Sequence, residues 1–216
     1  MNRILNFFLD LIYPISCVSC GKAGSLFCDD CLKTIKVNRS EKQAYFKPEG
    51  QFIDTVYVVA DYHQPALGSL IHCYKYKFVK GLASVLAELV IDFLKDNKFY
   101  SDCLIALPTA KKRLLFRGFD HTLLVAKSFS AQINVAIIEN VLLRKRYRRP
   151  QVGLSRQARL INIRDAFAVI NPALVADKNI LLFDDIYTTG STLSQAAKML
   201  KLAGAKKVEA LVIARD

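Results

Sequence analysis

The run ILLFDDIYTTGSTLSQAAKMLKLAGA, residues 180–205, narrows the folds open to this chain more than any other segment. It begins with four residues of fully buried type, Ile180–Phe183, which read as a strand in a sheet covered on both faces. Asp184 and Asp185 then emerge at the strand's carboxyl end, followed by the loop Thr188, Thr189, Gly190, Ser191 and Thr192. A helix over Leu193–Ala203 comes next, closed by Gly204. Open parallel sheets bind ligands at that end of their strands. Two adjacent carboxylates are acceptors only, suited to a vicinal diol such as the ribose hydroxyls. The unpaired N–H groups of a loop that opens a helix form an anion site, and Gly190 permits close approach. No lysine follows as in GxxxxGK[ST], which argues against a nucleoside triphosphatase loop.

The same alternation extends through most of the chain. Strands are expected over Val56–Asp61, Leu104–Leu107, Val141–Arg144, Ala166–Ile170 and Val208–Ala214, and helices over Gly68–Lys77, Leu82–Lys95 and Thr122–Ser130. Such alternation implies an α/β fold, a parallel sheet flanked by helices. Apolar residues make up 52% of the 216 and charged ones 23%, enough for a real core. The division expected is an appendage over residues 1–50 and an α/β domain over 51–216.

Within the appendage, residues 1–14 read as a short helix with an apolar stripe, ended by Pro14. Cys17-x-x-Cys20 and Cys28-x-x-Cys31 follow, seven residues apart. Each pair can place two thiolates on one metal, which gives a closed tetrahedral site, a structural role and Zn²⁺ as the usual occupant. Cys73 and Cys103 lie in apolar surroundings and read as core thiols. No apolar run is long enough to span a bilayer, and the opening segment makes a poor signal peptide, so the expected location is the cytoplasm. The first helix could touch a membrane surface, but packing on its own domain is favoured at that length.

The strand, acid pair and Thr/Gly-rich loop are similar to the 5-phosphoribosyl pyrophosphate (PRPP) signature of type I phosphoribosyltransferases. The resemblance implies that Asp184 and Asp185 hold the ribose and are the catalytic-centre acids, while Thr188–Thr192 grip the 5′-phosphate. A pyrophosphate leaving group needs cations placed in advance, with Mg²⁺ sharing the task. Thr109, Ala110, Lys111 and Lys112 are the candidate pyrophosphate loop, a solvated basic turn being the other reading. The stretch holding Arg144, Arg146, Arg148, Arg149 and Arg156 is a flexible loop closing over PRPP, a nucleic-acid contact, or both, a solvated loop being the other reading. A formal net charge of +12 suits any polyanion. The histidines form no constellation, so hydroxyl- or thiol-based catalysis with a histidine base is disfavoured.

Nearly the whole chain resembles the ComF/ComFC competence family. The matching blocks are LIYPISCVSCG with FCDDC, GSLIHCYKYKF, LPTAKKRLLFRGFD, RRPQVGLSRQARLINIRDAF and FDDIYTTGST. Asp120-His121 departs from the family's usual Asn-Gln. The resemblance implies an amino-terminal zinc finger on a phosphoribosyltransferase-like domain. It also implies handling of single-stranded DNA at the cytoplasmic side of the inner membrane, with peripheral contact to the membrane or the uptake machinery. Whether transfer is catalysed stays open, and a metabolic phosphoribosyltransferase of nucleotide salvage is the competing expectation. Acceptor and oligomeric state are not legible.

Overall fold

The computed structural model describes residues 15–40, 44–97, 100–144 and 166–216. The expected helix over residues 1–14 and the arginines 146, 148, 149 and 156 lie outside the described residues. In chain order the strands are β1 (Tyr45–Phe46), β2 (Thr55–Asp61), β3 (Cys103–Ala106), β4 (Leu142–Arg144), β5 (Phe167–Val169), β6 (Asn179–Tyr187) and β7 (Lys207–Arg215). The helices are α1 (Asp29–Thr34), α2 (Pro65–Tyr76), α3 (Leu82–Asp96), α4 (Lys111–Arg117), α5 (His121–Ile133) and α6 (Ser191–Leu202).

The described strands form a five-stranded sheet in the order β1-β2-β7-β6-β3. The neighbours β2–β7, β7–β6 and β6–β3 are parallel, and β1 is an antiparallel edge. Parity explains why β6 can be apolar throughout. Leu181 and Phe183 enter a core with α2, α3 and α5, whereas Ile180 and Leu182 enter a second core with α6. Helices cover both faces, as the uninterrupted apolar strand requires. No helix among the described residues is long and apolar enough to cross a membrane.

Two features differ from expectation. Strands β4 and β5 pair antiparallel in a separate two-stranded ribbon instead of joining the main sheet. Strand β6 does not stop at Phe183 but continues to Tyr187, because β7 keeps pairing with it, Asp184 opposite Val212 and Tyr187 opposite Arg215. On its other side, pairing with β3 ends at Ala106 opposite Phe183. The acid pair therefore lies on a strand held from one side and open on the other.

The cysteine segment is built onto this frame. Cys17, Phe27, Cys28 and Ile35 belong to the same buried cluster as Leu67, Leu70 and Leu82 of α2 and α3. Gly81, just before α3, admits this contact, since a Cβ there would meet Leu26 Cδ1 at 2.6 Å.

Candidate functional site

Asp184 and Asp185 occupy consecutive positions of β6, so their side chains leave the strand on opposite faces. Asp184 is half-buried and lines a small cavity of about 40 Å³ formed with Tyr187 and residues 188–193. Asp185 is buried on the other face, where Lys75 Nζ of α2 and His121 Nε2 of α5 each lie 2.8 Å from its Oδ2. One oxygen of each acid is thereby committed, since Asp184 Oδ1 accepts from the Asp185 N–H at 2.9 Å. Asp184 Oδ2 and Asp185 Oδ1 have no partner among the described residues.

Their electrostatics diverge accordingly. Burial first, and then the charge of Asp185, push the Asp184 carboxyl well above the usual range. Burial acts to raise Asp185 too, but Lys75 and His121 outweigh it and hold that carboxyl well below the usual range. The two neighbouring carboxyls are thus driven in opposite directions by their surroundings.

The loop after β6 has the form an anion needs. Gly190 starts α6 at φ 70, with no side chain capping the helix. Its first N–H groups consequently face the cavity side without an internal acceptor, save a long contact of 3.4 Å from Ser191 N–H to Thr189 Oγ1. A Cβ on residue 190 would sit 2.3 Å from the Tyr187 Oη, so glycine is required for space as well as for torsion. From below, Gln51 Nε2 donates to Tyr187 Oη and to Thr189 O, both at 3.1 Å. The loop is a braced cradle.

Thr109 and Ala110 follow β3 in the connecting loop, whereas Lys111 and Lys112 begin the helix α4 and are exposed. Thr109 is fixed by Asp120, whose carboxylate accepts from Thr109 N–H at 3.1 Å and from its hydroxyl at 2.9 Å. Asp120 also caps α5 through Leu123 N–H at 3.2 Å. His121 Nδ1 stands 2.9 Å from Thr109 Oγ1, so the imidazole bridges the β3 loop to Asp185. Arg144, at the end of β4, covers the Phe167 ring at 5.5 Å. Desolvation and then Arg113 lower its ionisation, while Asp184 acts in the opposite direction. Arg144 accordingly stands near Asp184 as a cation, with Arg113 near Arg144.

Sequence reading brought out the acids and the loop but not Lys75 or His121. The imidazole is a correction: one histidine does belong to a constellation, joined to a hydroxyl and a carboxylate. Only the position of Asp120-His121 directly after the β3 loop hinted at it. Lys75 carries no such signal, because its charge is placed by the packing of α2 against the sheet.

The four cysteine sulfurs of residues 17, 20, 28 and 31 lie within 4.8 Å of one another and could hold a metal ion. None is in a disulfide. Burial raises the Cys17 thiol, but N–H groups of Cys28, Cys20 and Ser19 outweigh it and bring its pKa down to about 6. At Cys31 a contact with Ser19 acts to lower the value, yet desolvation and the neighbouring sulfurs hold it up to about 12. A bound dication would deprotonate the thiols that hold it.

Residues 122–216 match the phosphoribosyl transferase domain family. The chain is 25% identical over 234 residues to Competence protein F of Haemophilus influenzae, covering 98% of this chain and 100% of that protein. It is 29% identical to Competence protein ComFC of Streptococcus pneumoniae, over 90% of this chain and 83% of that one. DNA utilization protein YhgH of Shigella flexneri is 30% identical over 73% of this chain and 70% of its own length. A solved structure, the allosteric regulatory enzyme of purine biosynthesis, superposes with a TM-score of 0.45 at 18% identity, over 61% of this chain and 26% of that enzyme.

Proposed function

Because this chain belongs to the ComF/ComFC family of competence proteins, we propose that it binds PRPP and single-stranded DNA while transforming DNA is imported, at the cytoplasmic side of the inner membrane. Kinship with competence and DNA-utilization proteins carries the role in competence and DNA uptake. The observation that carries the PRPP reading is the pairing of two carboxylate oxygens without a partner among the described residues, on Asp184 and Asp185, with the loop of residues 188–192 at the start of α6. A ribose bearing a 5′-phosphate offers hydroxyl donors to the first and an anion to the second. Thr109–Lys112 would meet the pyrophosphate, with Mg²⁺ neutralising its oxygens when bound. Cys17, Cys20, Cys28 and Cys31 would hold Zn²⁺ in a closed structural site.

Titration calorimetry with PRPP and Mg²⁺ tests the site. Asp184→Asn and Asp185→Asn should each weaken binding by about tenfold or more, the loss of a charge-assisted hydrogen bond being worth about 1.5–3 kcal/mol. Unchanged affinity in both variants would remove the acids from the site. For the cellular role, a clean deletion strain should lose transformation, and normal transformation there would refute it. Transfer of phosphoribosyl to a nitrogenous base in nucleotide salvage uses the same acids and loop. Release of pyrophosphate that depends on an added base would establish that second reading.

A further inference from the structure

Helix α4 has the residues KKRLLFR, and of these only Arg117 is buried. Leu115 and Phe116 are 74% and 75% exposed, and Tyr76 at the end of α2 is 61% exposed. Ring contacts join α4 to the end of α2. Phe116 meets Phe78 edge-on with ring centroids 5.2 Å apart, Tyr76 lies 5.1 Å from His72, and Arg117 approaches the Tyr76 ring at 5.7 Å. Scattered exposed apolar residues need no explanation, but exposed rings grouped by such contacts mark a contact surface.

Its border is cationic. Lys77, Lys111, Lys112 and Arg113 are exposed, and no described carboxylate pairs with them. Arg117 supplies an independent pointer. It is 8% exposed, yet its Nη1 has no hydrogen-bond partner among the described residues. A buried guanidinium donor left open beside an exposed ring suits a phosphate oxygen. Rings spaced between cations are what a strand of unpaired bases requires, each base stacking while its phosphate meets a positive charge.

We infer that Tyr76 and Phe116, framed by Lys77, Arg113 and Arg117, form the platform on which single-stranded nucleic acid stacks. The strand lies beside the acid pair instead of on the cysteine module. The inference rests on the single-stranded DNA part of the proposed function and gives it a location.

Fluorescence anisotropy with a labelled oligothymidylate of about 16 nucleotides reads the platform, an abasic strand of equal length serving as the base-free probe. The double variant Tyr76→Ala/Phe116→Ala should bind oligothymidylate at least about tenfold more weakly and bind the abasic strand as the parent does. PRPP titration and melting temperature should not move, since both rings are largely exposed. Tyr76→Phe/Phe116→Tyr should restore affinity because stacking is retained. Equal binding of oligothymidylate by the parent and the double variant overturns the platform and leaves the competence role standing. No binding by the parent removes both the platform and the DNA-binding part of the function. If the double variant instead loses co-sedimentation with anionic phospholipid vesicles, or loses self-association, while its DNA affinity is unchanged, these rings serve a membrane or a second copy and the inference fails.

Discussion

Two adjacent carboxylates in one strand meet different surroundings because successive strand residues face opposite sides of a sheet. Asp184 has burial and a negative neighbour, so its folded pKa is raised. A raised carboxyl adds stability that is fully present below its unfolded value of about 3.9 and is lost as pH rises through the folded value. The ionised Asp184 is then a cost at high pH. Asp184→Asn should raise the melting temperature in mildly alkaline buffer by about 2–4 °C, equivalent to ~1 kcal/mol. The gain should vanish below about pH 4. Thermal scans at both pH values check this, and a lower melting temperature for the variant in alkaline buffer would contradict the assigned direction. Asp185 has the opposite linkage. Its depressed pKa means stability that is present above about pH 3.9 and lost as pH falls through the lower folded value. Lys75→Met leaves that carboxylate buried with His121 alone, and should cost about 3 kcal/mol at neutral pH, the low end for breaking a buried pair. The difference from the parent should shrink only in strong acid, as urea titrations across that range would reveal. A constant difference at all pH values would mean that Lys75 acts through packing.

The β6–loop–α6 unit joins these charges to the uncapped start of α6, and the chain turns there at Gly190. A methyl group there must displace the Tyr187 ring, which Gln51 holds from beneath, and must also adopt φ 70. Gly190→Ala should destabilise by about 1–3 kcal/mol. It should also abolish detectable PRPP binding at concentrations that saturate the parent. Retained affinity measured by calorimetry would show that the cradle tolerates the shift. This unit is legible in the sequence because each part obeys a local rule: apolar strand, acids, small-residue turn, amphipathic helix. Helices α2, α3 and α5 are legible for the same reason, and differ from expectation only in their ends. The extension of β6 through Asp184 and Asp185 is not legible, because it comes from continued pairing with β7 and not from the residues' own preference. Nor is α4, since a helix that buries only Arg117 shows no apolar period. Strands β4 and β5 are three residues each, too short for periodicity to reveal that they form their own ribbon. Lys75 and His121 reach Asp185 from separate helices, and no spacing along the chain can announce a contact made by packing.

At the scale of the molecule, the cysteine quartet is continuous with the main core. Cys17 and Cys28 share a buried cluster with α2, α3 and the sheet, and Leu26 fills the space above Gly81. A metal holding the quartet therefore restrains the surface that closes one side of the α/β domain, and its loss should be felt by the whole. Chelation should release one zinc per chain and lower a single melting transition, not detach a weak early one. A loss of about 3 kcal/mol corresponds to roughly 6–12 °C for a chain of this size. Cys28→Ser, which removes a ligand that is itself buried, should reproduce the shift without a chelator. Metal release followed colorimetrically alongside calorimetry decides the matter. A main transition that stays put while zinc leaves would make the quartet an independent appendage, and the shared cluster would then contribute packing without cooperativity.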